Sequence, residues 1–315
     1  MIRVENLTKD YGSVRALNSI SFEVQDGEIL GFLGPNGAGK STTLKIITSY
    51  LAPTSGNVFI NDRNILDHSL EIRKQIGYLP ELNPLYYEMT VYDFLKFVAA
   101  ARQIEGSAFT KRLGEVIELC GLRGVVHKTI AELSKGYKQR VGLAQAIFHD
   151  PKILILDEPS TGLDPNQIVE IRELIKNLGK KKTLIMSSHI LQEVQATADR
   201  MVIINKGQIV ANGTTAELMS GFKGKTVVTM ELLNAQEEAV RKLQGAVSGI
   251  TVTQVTQDSN ALMVRLEYPN QSDPRKEIFE YAVQQQWAIL EMSRHKVSLE
   301  DIFRTLTVEG GQPHA

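Results

Sequence analysis

Residues 34–42 read Gly-Pro-Asn-Gly-Ala-Gly-Lys-Ser-Thr, which fits the phosphate-binding loop pattern G-x-x-x-x-G-K-[ST]. An apolar run at 28–33 that suits a buried strand precedes the loop, and a stretch at 43–48 with helical spacing follows it. Glycines let successive N–H groups point at a phosphate, and the helix start adds its positive dipole end. This order of strand, loop and helix predicts nucleotide binding rather than an ordinary glycine-rich turn.

The nucleotide-binding residues predicted in this loop are Gly34, Pro35, Asn36, Gly37, Ala38, Gly39, Lys40, Ser41 and Thr42. Lys40 is expected to neutralise the β- and γ-phosphates of the nucleotide, which makes it a catalytic residue as well. The Ser41 hydroxyl is expected to ligate Mg²⁺.

Length and composition indicate a globular protein of two domains. The chain has 315 residues, 43% of them hydrophobic, and a formal net charge of −1, so no basic surface for nucleic acid is predicted. Cys120 is the single cysteine; it excludes an intrachain disulfide and is typical of a reducing compartment. No apolar stretch approaches the ~18 residues of a membrane span, and the first residues do not read as a secretory signal. We therefore expect a cytoplasmic protein that reaches a membrane only through a partner.

Strand-like and helix-like stretches alternate along the first two thirds of the chain, which predicts an α/β domain with a largely parallel core sheet. Strands are expected at 2–7, 16–24, 28–33, 57–60, 152–157, 183–188, 200–205 and 207–210, and helices mainly within 92–146 and at 167–178.

The remainder reads as a second, smaller domain. Its order β-α-β-β-α-β predicts a ferredoxin-like α+β unit, and Ser298 to Asp301 form a capping box before a last helix. The predicted division is a first domain at 1–218 with a helical subdomain at about 84–150, a linker at 219–225, an accessory domain at 226–308 and a disordered tail at 309–315.

Two acids, Asp157 and Glu158, end the apolar strand at 152–157. Functional residues of parallel α/β sheets lie at the carboxyl ends of the strands, close to a phosphate loop that follows a neighbouring strand. Asp157 is expected to hold Mg²⁺, and Glu158 is expected to orient and polarise the attacking water. Two exposed loop acids are the alternative, which the upstream phosphate loop disfavours.

The segment 133–140 reads Leu-Ser-Lys-Gly-Tyr-Lys-Gln-Arg and comes shortly before these acids. The whole pattern resembles the ATP-binding subunit of an ABC transporter, whose signature is L-S-G-G-Q; Lys135 and Tyr137 depart from it. The resemblance covers about 2–218 and implies a P-loop NTPase fold with a helical subdomain. It also implies that Ser134 and Gly136 bind the γ-phosphate of ATP held by a second copy, although Ser134 also suits a helix cap.

Four further residues take their roles from this resemblance. Tyr11 matches the aromatic residue that stacks on adenine, and Asp164 belongs to the D-loop, Ser160 to Asp164, which contacts the opposite subunit. His189 matches the switch histidine, a catalytic residue that bonds the γ-phosphate. Glu81 stands where the family usually has the Q-loop glutamine; it is expected to meet nucleotide and Mg²⁺, but it brings an added negative charge.

The function implied is that of an ATP-hydrolysing subunit that dimerises on ATP and drives an integral-membrane permease from the inner face of the cell membrane. The signature and Q-loop variants resemble the ABC-2 exporter branch, and within it gliding-motility-type ATPase subunits. The region after Glu81, with Tyr86-Tyr87 and Val91-Tyr92, is expected to dock the permease. A soluble ABC-type ATPase acting on ribosomes or DNA is the alternative, disfavoured by the single glycine loop, the lack of a heptad insertion and the near-neutral charge. A binding-only module would lack Lys40 or Glu158. The transported molecule cannot be predicted, because the permease carries its path.

Overall fold

Two compact units divide the chain. The computed structural model describes residues 1–221, 225–258, 261–269, 273–295 and 298–308. Of the described residues, one unit comprises Met1–Thr214 and 306–308, and the other comprises those within Thr215–Thr305. The tail predicted to be disordered, 309–315, lies outside the described residues.

The first unit alternates strands and helices after an initial run of strands. Its strands are β1 (Ile2–Tyr11), β2 (Val14–Val24), β3 (Ile29–Leu33), β4 (Ser55–Ile60), β5 (Arg63–Asn64), β6 (Ile76–Leu79), β7 (Ile153–Asp157), β8 (Thr183–Ser188), β9 (Arg200–Asn205) and β10 (Gln208–Gly213). Its helices are α1 (Lys40–Ile47), α2 (Ser69–Gln75), α3 (Val91–Ala101), α4 (Gly106–Leu119), α5 (Lys135–Ile147), α6 (Pro165–Gly179) and α7 (Leu191–Thr197).

A six-stranded sheet in the order β10-β9-β3-β8-β7-β6 forms the centre of this unit. All its neighbouring pairs are parallel except β9 with β10, which confirms the predicted largely parallel core. A second, antiparallel sheet has the order β2-β1-β4-β5. Strand β6 was not predicted, since its four residues, Ile-Gly-Tyr-Leu, are too few to show a period.

The central sheet is buried on both faces, as parallel sheets are. Along β7, Ile153 and Ile155 point into a core shared with α1 and the antiparallel sheet, whereas Leu154 and Leu156 point into a core shared with α3 to α6. Each side chain buried in this way contributes roughly 1.5–3 kcal/mol to folding. Packing on both faces fixes the strand ends, and the loops that follow them, within the unit.

Helices α3 and α5, which lie between β6 and β7, both begin at side-chain caps. Thr90 caps α3 by accepting a hydrogen bond from the Asp93 amide, and Ser134 caps α5 in the same way from Tyr137. The predicted helical character of 92–146 is confirmed. Cys120 is buried at the end of α4, and burial raises the pKa of its thiol to about 12; a buried thiol of this kind is inert packing.

The second unit has the predicted ferredoxin-like topology. Its elements are α8 (Thr215–Gly221), β11 (Lys225–Leu233), α9 (Glu237–Ala246), β12 (Thr251–Asp258), β13 (Ala261–Pro269), α10 (Arg275–Gln284), β14 (Ala288–His295) and the start of α11 (Leu299–Val308). The sheet is antiparallel in the order β12-β13-β11-β14. Trp287 is buried in its core and meets Tyr281 edge-on at 5.6 Å. The Ser298–Asp301 capping box is confirmed. The predicted linker at 219–225 begins inside α8, and its residues 222–224 lie outside the described residues.

The His149 ring joins the end of α5 to the edge strand β6, and this contact predicts a pH-dependent stability. Nε2 of His149 lies 3.1 Å from the Ile76 carbonyl oxygen. Burial, helped by the charge of Arg102, lowers the pKa of His149 to about 4. The unfolded chain therefore takes up this proton below about pH 6.5 whereas the folded chain does not, and stability is lost as the pH falls from about 6.5 to about 4.

Between about pH 7 and about pH 5 we therefore expect the wild type to lose more stability than His149→Gln, which cannot titrate. The measurement is urea unfolding of the full chain, followed by circular dichroism at both pH values, with Trp287 fluorescence identifying the transition that belongs to the second unit. Equal losses in the two proteins would contradict the assignment.

Candidate active site

The strand order of the central sheet collects the predicted site residues at one edge. Strands β3, β8 and β7 are neighbours and run parallel, so their carboxyl ends lie side by side. The phosphate loop follows β3, Glu158 follows β7, and His189 follows β8. Residues distant in sequence therefore meet because the sheet places them there.

The phosphate loop has a backbone that only glycine adopts without strain at its tightest points. Gly37 and Gly39 have φ values of 78° and 111°, which lie in the left-handed region. A β-carbon at Gly39 would also lie only 2.8 Å from the Ala16 carbonyl oxygen of β2. Gly34 is crowded in the same way by the backbone of Ile204. The antiparallel sheet and β9 therefore support the loop from below.

Several amides of the loop are free to bind an anion. Helix α1 begins at Lys40 with Gly39 as its cap, and no side chain bonds to its first amides. Within the described residues, no backbone or side-chain acceptor is recorded for the amides of Gly37, Gly39, Lys40 and Ser41. Such amides at a helix start form a ready-made phosphate site.

The Lys40 side chain is almost fully buried, with 5% of its surface exposed. Its Nζ donates to the Gly34 carbonyl at 2.8 Å and to the Pro35 carbonyl at 3.2 Å. It also lies 3.2 Å from Oε1 of Glu158, a carboxylate that is equally buried. The positive charge that would meet a phosphate is thus held between the loop carbonyls and the acid after β7.

Glu158 forms hydrogen bonds with Ser187 of β8, with Thr161 and with His189. Its φ is 49°, which is rare for a residue other than glycine, and its amide donates to the Ser187 hydroxyl at 2.9 Å. Oε2 of its carboxylate lies 2.8 Å from Nδ1 of His189 and accepts a hydrogen bond from Thr161 at 3.3 Å. The His189 side chain is 40% exposed, so its ring can reach a ligand while it contacts this acid.

Asp157 and Ser41 offer oxygen ligands of the kind that Mg²⁺ takes. Oδ1 of Asp157 accepts hydrogen bonds from the hydroxyls of Ser187 at 2.6 Å and Ser41 at 3.2 Å. Oδ2 is buried and has no partner within the described residues. Burial raises the pKa of Asp157 above its usual value, and these two hydroxyl bonds offset part of that rise. A buried carboxylate oxygen without a partner, beside a serine hydroxyl, fits a hard cation.

Tyr11 and Glu81 form no hydrogen bond or ion pair with this cluster within the described residues. Tyr11 ends β1 and is 48% exposed, with Nζ of Lys9 at 5.4 Å from the ring centroid. Glu81 is exposed after β6, and within the described residues no hydrogen bond or ion pair joins it to Ser41 or Asp157. Their predicted roles toward adenine and Mg²⁺ stay predictions.

Across the described residues, the signature residues pack on α6 and the D-loop rather than bonding to the phosphate loop. Ser134 is exposed at the start of α5, and Gly136 is buried against α6, where a β-carbon would lie 2.6 Å from Gln167. Asp164 caps α6 by accepting from the Gln167 amide at 3.0 Å. The structure thus joins the signature to the D-loop of the same chain, and none of these three residues forms a recorded hydrogen bond with Lys40 in the described part.

One buried acid beside the site was missed by the sequence reasoning. Glu193 on α7 is 8% exposed, and its Oε2 accepts hydrogen bonds from the hydroxyls of Ser160 at 2.6 Å and Ser188 at 2.8 Å. Helix α7 itself was not predicted. A partial signal for the helix was present, because Leu191, Val194 and Thr197 share one helical face. Glu193 lies about 100° around the helix from Val194, so the sequence did not predict its burial.

With this geometry in view, comparisons with known proteins identify the family. The family described as "ABC transporter" matches residues 17–161, and the one described as "ATP-binding protein DrrA1-3-like, C-terminal domain" matches residues 213–307. YhcH of Bacillus subtilis (strain 168), an uncharacterized ABC transporter ATP-binding protein, is 32% identical over 98% of this chain and 96% of its own length. The chain belongs to the ATP-binding proteins of ABC transporters and is an ATPase.

Two further similarities bear on function. The linearmycin resistance ATP-binding protein LnrL of Bacillus subtilis (strain 168) is 34% identical over 80% of this chain and 82% of its own length. The ATP-binding cassette MJ0796, solved as a dimer in a post-hydrolysis state bound to ADP and Pi, aligns with a TM-score of 0.63 at 26% identity, over 68% of this chain and 98% of that one. Among the described residues no helix is long and apolar enough to span a membrane.

Removing the Ser187 hydroxyl tests the electrostatics of Asp157. Ser187→Ala deletes the 2.6 Å hydrogen bond to Asp157, which favours the charged carboxylate, so the pKa of Asp157 rises further. A hydrogen bond to a charged group contributes about 1.5–3 kcal/mol, so we expect the acidic limb of the ATPase rate profile to move up by roughly one to two pH units.

The measurement is kcat for ATP hydrolysis as a function of pH. Thr183→Val is the matched control, because it removes one hydroxyl from the opposite end of the same strand, β8. An acidic limb that stays in place in Ser187→Ala would show that Asp157 does not control it.

Proposed function

We propose that two copies of this chain close on ATP, each completing the other's site, and that this closure and its release by hydrolysis drive export through a membrane permease. One observation carries the proposal. The phosphate loop, Asp157, Glu158 and His189 converge at one edge of the sheet, whereas Ser134 and Gly136 lie elsewhere in the same unit. A site that lacks its signature residues in one chain is complete when a second chain supplies them.

The chemistry asked of these residues is positioning and charge stabilisation. Lys40 and the free loop amides bind the β- and γ-phosphates, and Ser41 with Asp157 would hold Mg²⁺, which neutralises developing charge when bound. Glu158 orients the attacking water and takes up its proton. His189, beside Glu158, faces the γ-phosphate and holds that acid in place.

The ion pair between Lys40 and Glu158 bears on how ATP is received. Both side chains are buried, so neither charge is screened well by water. An incoming triphosphate offers Lys40 a stronger anionic partner, and the Glu158 carboxylate is then free to contact water rather than the ammonium. ATP binding and the release of the Glu158 carboxylate to act as a base are therefore linked through the contact between Lys40 and Glu158.

Replacing the proposed base tests the two-copy site. In Glu158→Gln we expect hydrolysis to fall by ~100-fold or more while ATP still bridges two copies, so a dimer should accumulate at saturating ATP. The measurement is mass by light scattering with ATP and with ADP. Lys40→Ala, which removes the phosphate contact, is the control that should stay monomeric. A Glu158→Gln protein that remains monomeric at saturating ATP would overturn the two-copy site, and one that hydrolyses ATP at the wild-type rate would overturn the role of Glu158 as the base.

A groove between α1, β6, α3 and the end of α5 is proposed to receive the permease. It encloses about 330 Å³. Three buried polar atoms in its lining have no partner within the described residues: Oγ of Ser49, the Tyr78 hydroxyl and Nδ1 of His149. Unpartnered buried polar atoms are costly, and a docked backbone or polar side chain would satisfy them.

Apolar side chains at the rim of the groove give a second reason. Tyr50 is 78% exposed and Phe97 is 47% exposed, and Tyr86 packs on Phe97 with ring centroids 5.3 Å apart. Exposed aromatic residues around a polar floor are typical of protein interfaces. The groove thus extends the docking region proposed from 86–92 toward α1.

Charge placed on the rim tests docking without touching the ATP site. Tyr50→Asp and Phe97→Asp should each lower ATP-dependent transport and copurification with the permease by roughly tenfold or more. The basal ATPase activity of the isolated subunit should be retained. Leu66→Asp, at an apolar residue outside the groove that is 54% exposed, is the matched control and should leave transport and copurification unchanged.

The assay needs co-expression with the candidate permease, followed by fractionation and ATP-driven transport in vesicles. Unchanged permease binding in both rim variants would count against the groove. A wild-type subunit that stays out of the membrane fraction and sediments with ribosomes or DNA would favour the soluble ATPase instead.

The direction of transport is proposed to be outward. LnrL, similar over most of its length, is named for resistance, and resistance to a toxic compound is served by its export.

A further inference from the structure

Glu193 forms a buried link between two loops of the ATP site. Its carboxylate oxygen Oε2 accepts hydrogen bonds from the hydroxyl of Ser160, in the D-loop, and from that of Ser188, the residue before His189. Both serines are buried as well, at 8% and 0% exposed. Hydrogen bonds from hydroxyls to a carboxylate are short and strong, and here two of them share one acceptor.

On one side the link fixes the turn that carries His189. The Ser188 hydroxyl accepts from the Ile190 amide at 3.0 Å while it donates to Glu193. The turn is therefore held on both sides of His189, whose Nδ1 lies 2.8 Å from the Glu158 carboxylate. Movement of this turn would change the distance between His189 and Glu158.

On the other side the link fixes the start of the D-loop. Ser160 is bound to Glu193, and the next residue, Thr161, donates to Glu158. The middle of the D-loop lies against the signature segment, because the Lys135 side chain extends to Gly162. The D-loop thus lies between the signature segment and Glu193 in one chain.

We propose that Glu193 is a positioning residue for ATP hydrolysis, which holds the D-loop and the His189 turn as one unit so that a shift of the signature segment reaches Glu158 and His189. The proposal rests on the proposed two-copy site, because it is there that the signature segment meets ATP. Glu193 has no recorded hydrogen bond with the phosphate loop in the described part of the chain. Its loss should therefore affect turnover and not nucleotide binding.

The test compares Glu193→Ala with Glu193→Gln in the full chain. The amide oxygen of glutamine can accept from both serines, whereas alanine accepts from neither. We expect Glu193→Ala to lower kcat by roughly tenfold or more, as loose positioning does, with KM for ATP and the affinity for ADP within about twofold. Glu193→Gln should keep most of the wild-type kcat. Thr197→Val is the matched control, because Thr197 is buried on the same helix and its hydroxyl has no partner in the described residues.

A second set of variants separates positioning from stability. Ser160→Ala/Ser188→Ala removes both donors while Glu193 remains, and it should lower kcat as Glu193→Ala does. Combined with Glu193→Ala it should add no further loss, because the three residues act as one link. If Glu193→Ala folds poorly, the Ser160→Ala/Ser188→Ala variant tests the same link with Glu193 in place. A wild-type kcat in the folded variants, additive losses, or a KM that rises as kcat falls would each overturn the proposal.

The outcome is distinct from that of the two-copy site. If Glu158→Gln dimerises on ATP and Glu193→Ala keeps the wild-type kcat, only the role of Glu193 is wrong. If Glu158→Gln stays monomeric on ATP, the two-copy site itself fails, whatever Glu193→Ala does.

Discussion

The buried contact between Lys40 and Glu158 is the interaction on which the rest of the site depends. Both charges lie at about 6% side-chain exposure, so each needs the other, or a ligand, to offset its loss of hydration. The contact exists because β3 and β7 flank β8 and bring their carboxyl ends to one edge. His189, which follows β8, contacts the other oxygen of the Glu158 carboxylate.

Hydroxyl groups organise the acids around this contact. Ser187 serves both Asp157 and the Glu158 amide, and Ser188 serves Glu193 and the turn at His189. Two adjacent serines at the end of one strand thus order Asp157 on one face of the sheet and, through Glu193, the D-loop on the other. Alternation of side chains along β8 makes this possible. The strand therefore acts as more than a scaffold for His189.

Sequence reasoning predicted the parts whose signal is local. The apolar runs of β3, β7 and β8 lead into the segments that carry Lys40, Glu158 and His189. The glycines between β3 and Lys40 are typical of a phosphate-binding loop. The order of elements after 225 was enough to predict the ferredoxin-like sheet. Helix α7 was missed because polar residues interrupt its seven residues, and Glu193 was missed with it, since the burial of an acid depends on tertiary packing. Nor could sequence place Glu81, whose distance from Asp157 is set by the loop after β6.

The single indole of the chain, Trp287, has a practical consequence. It lies in the core of the accessory unit, so its fluorescence reports the melting of that unit alone, while far-ultraviolet dichroism sums over both. Nucleotide stabilises the unit that holds it by mass action. A shift of the emission transition on adding ATP would therefore measure how strongly the accessory unit senses the state of the other, without any engineered label.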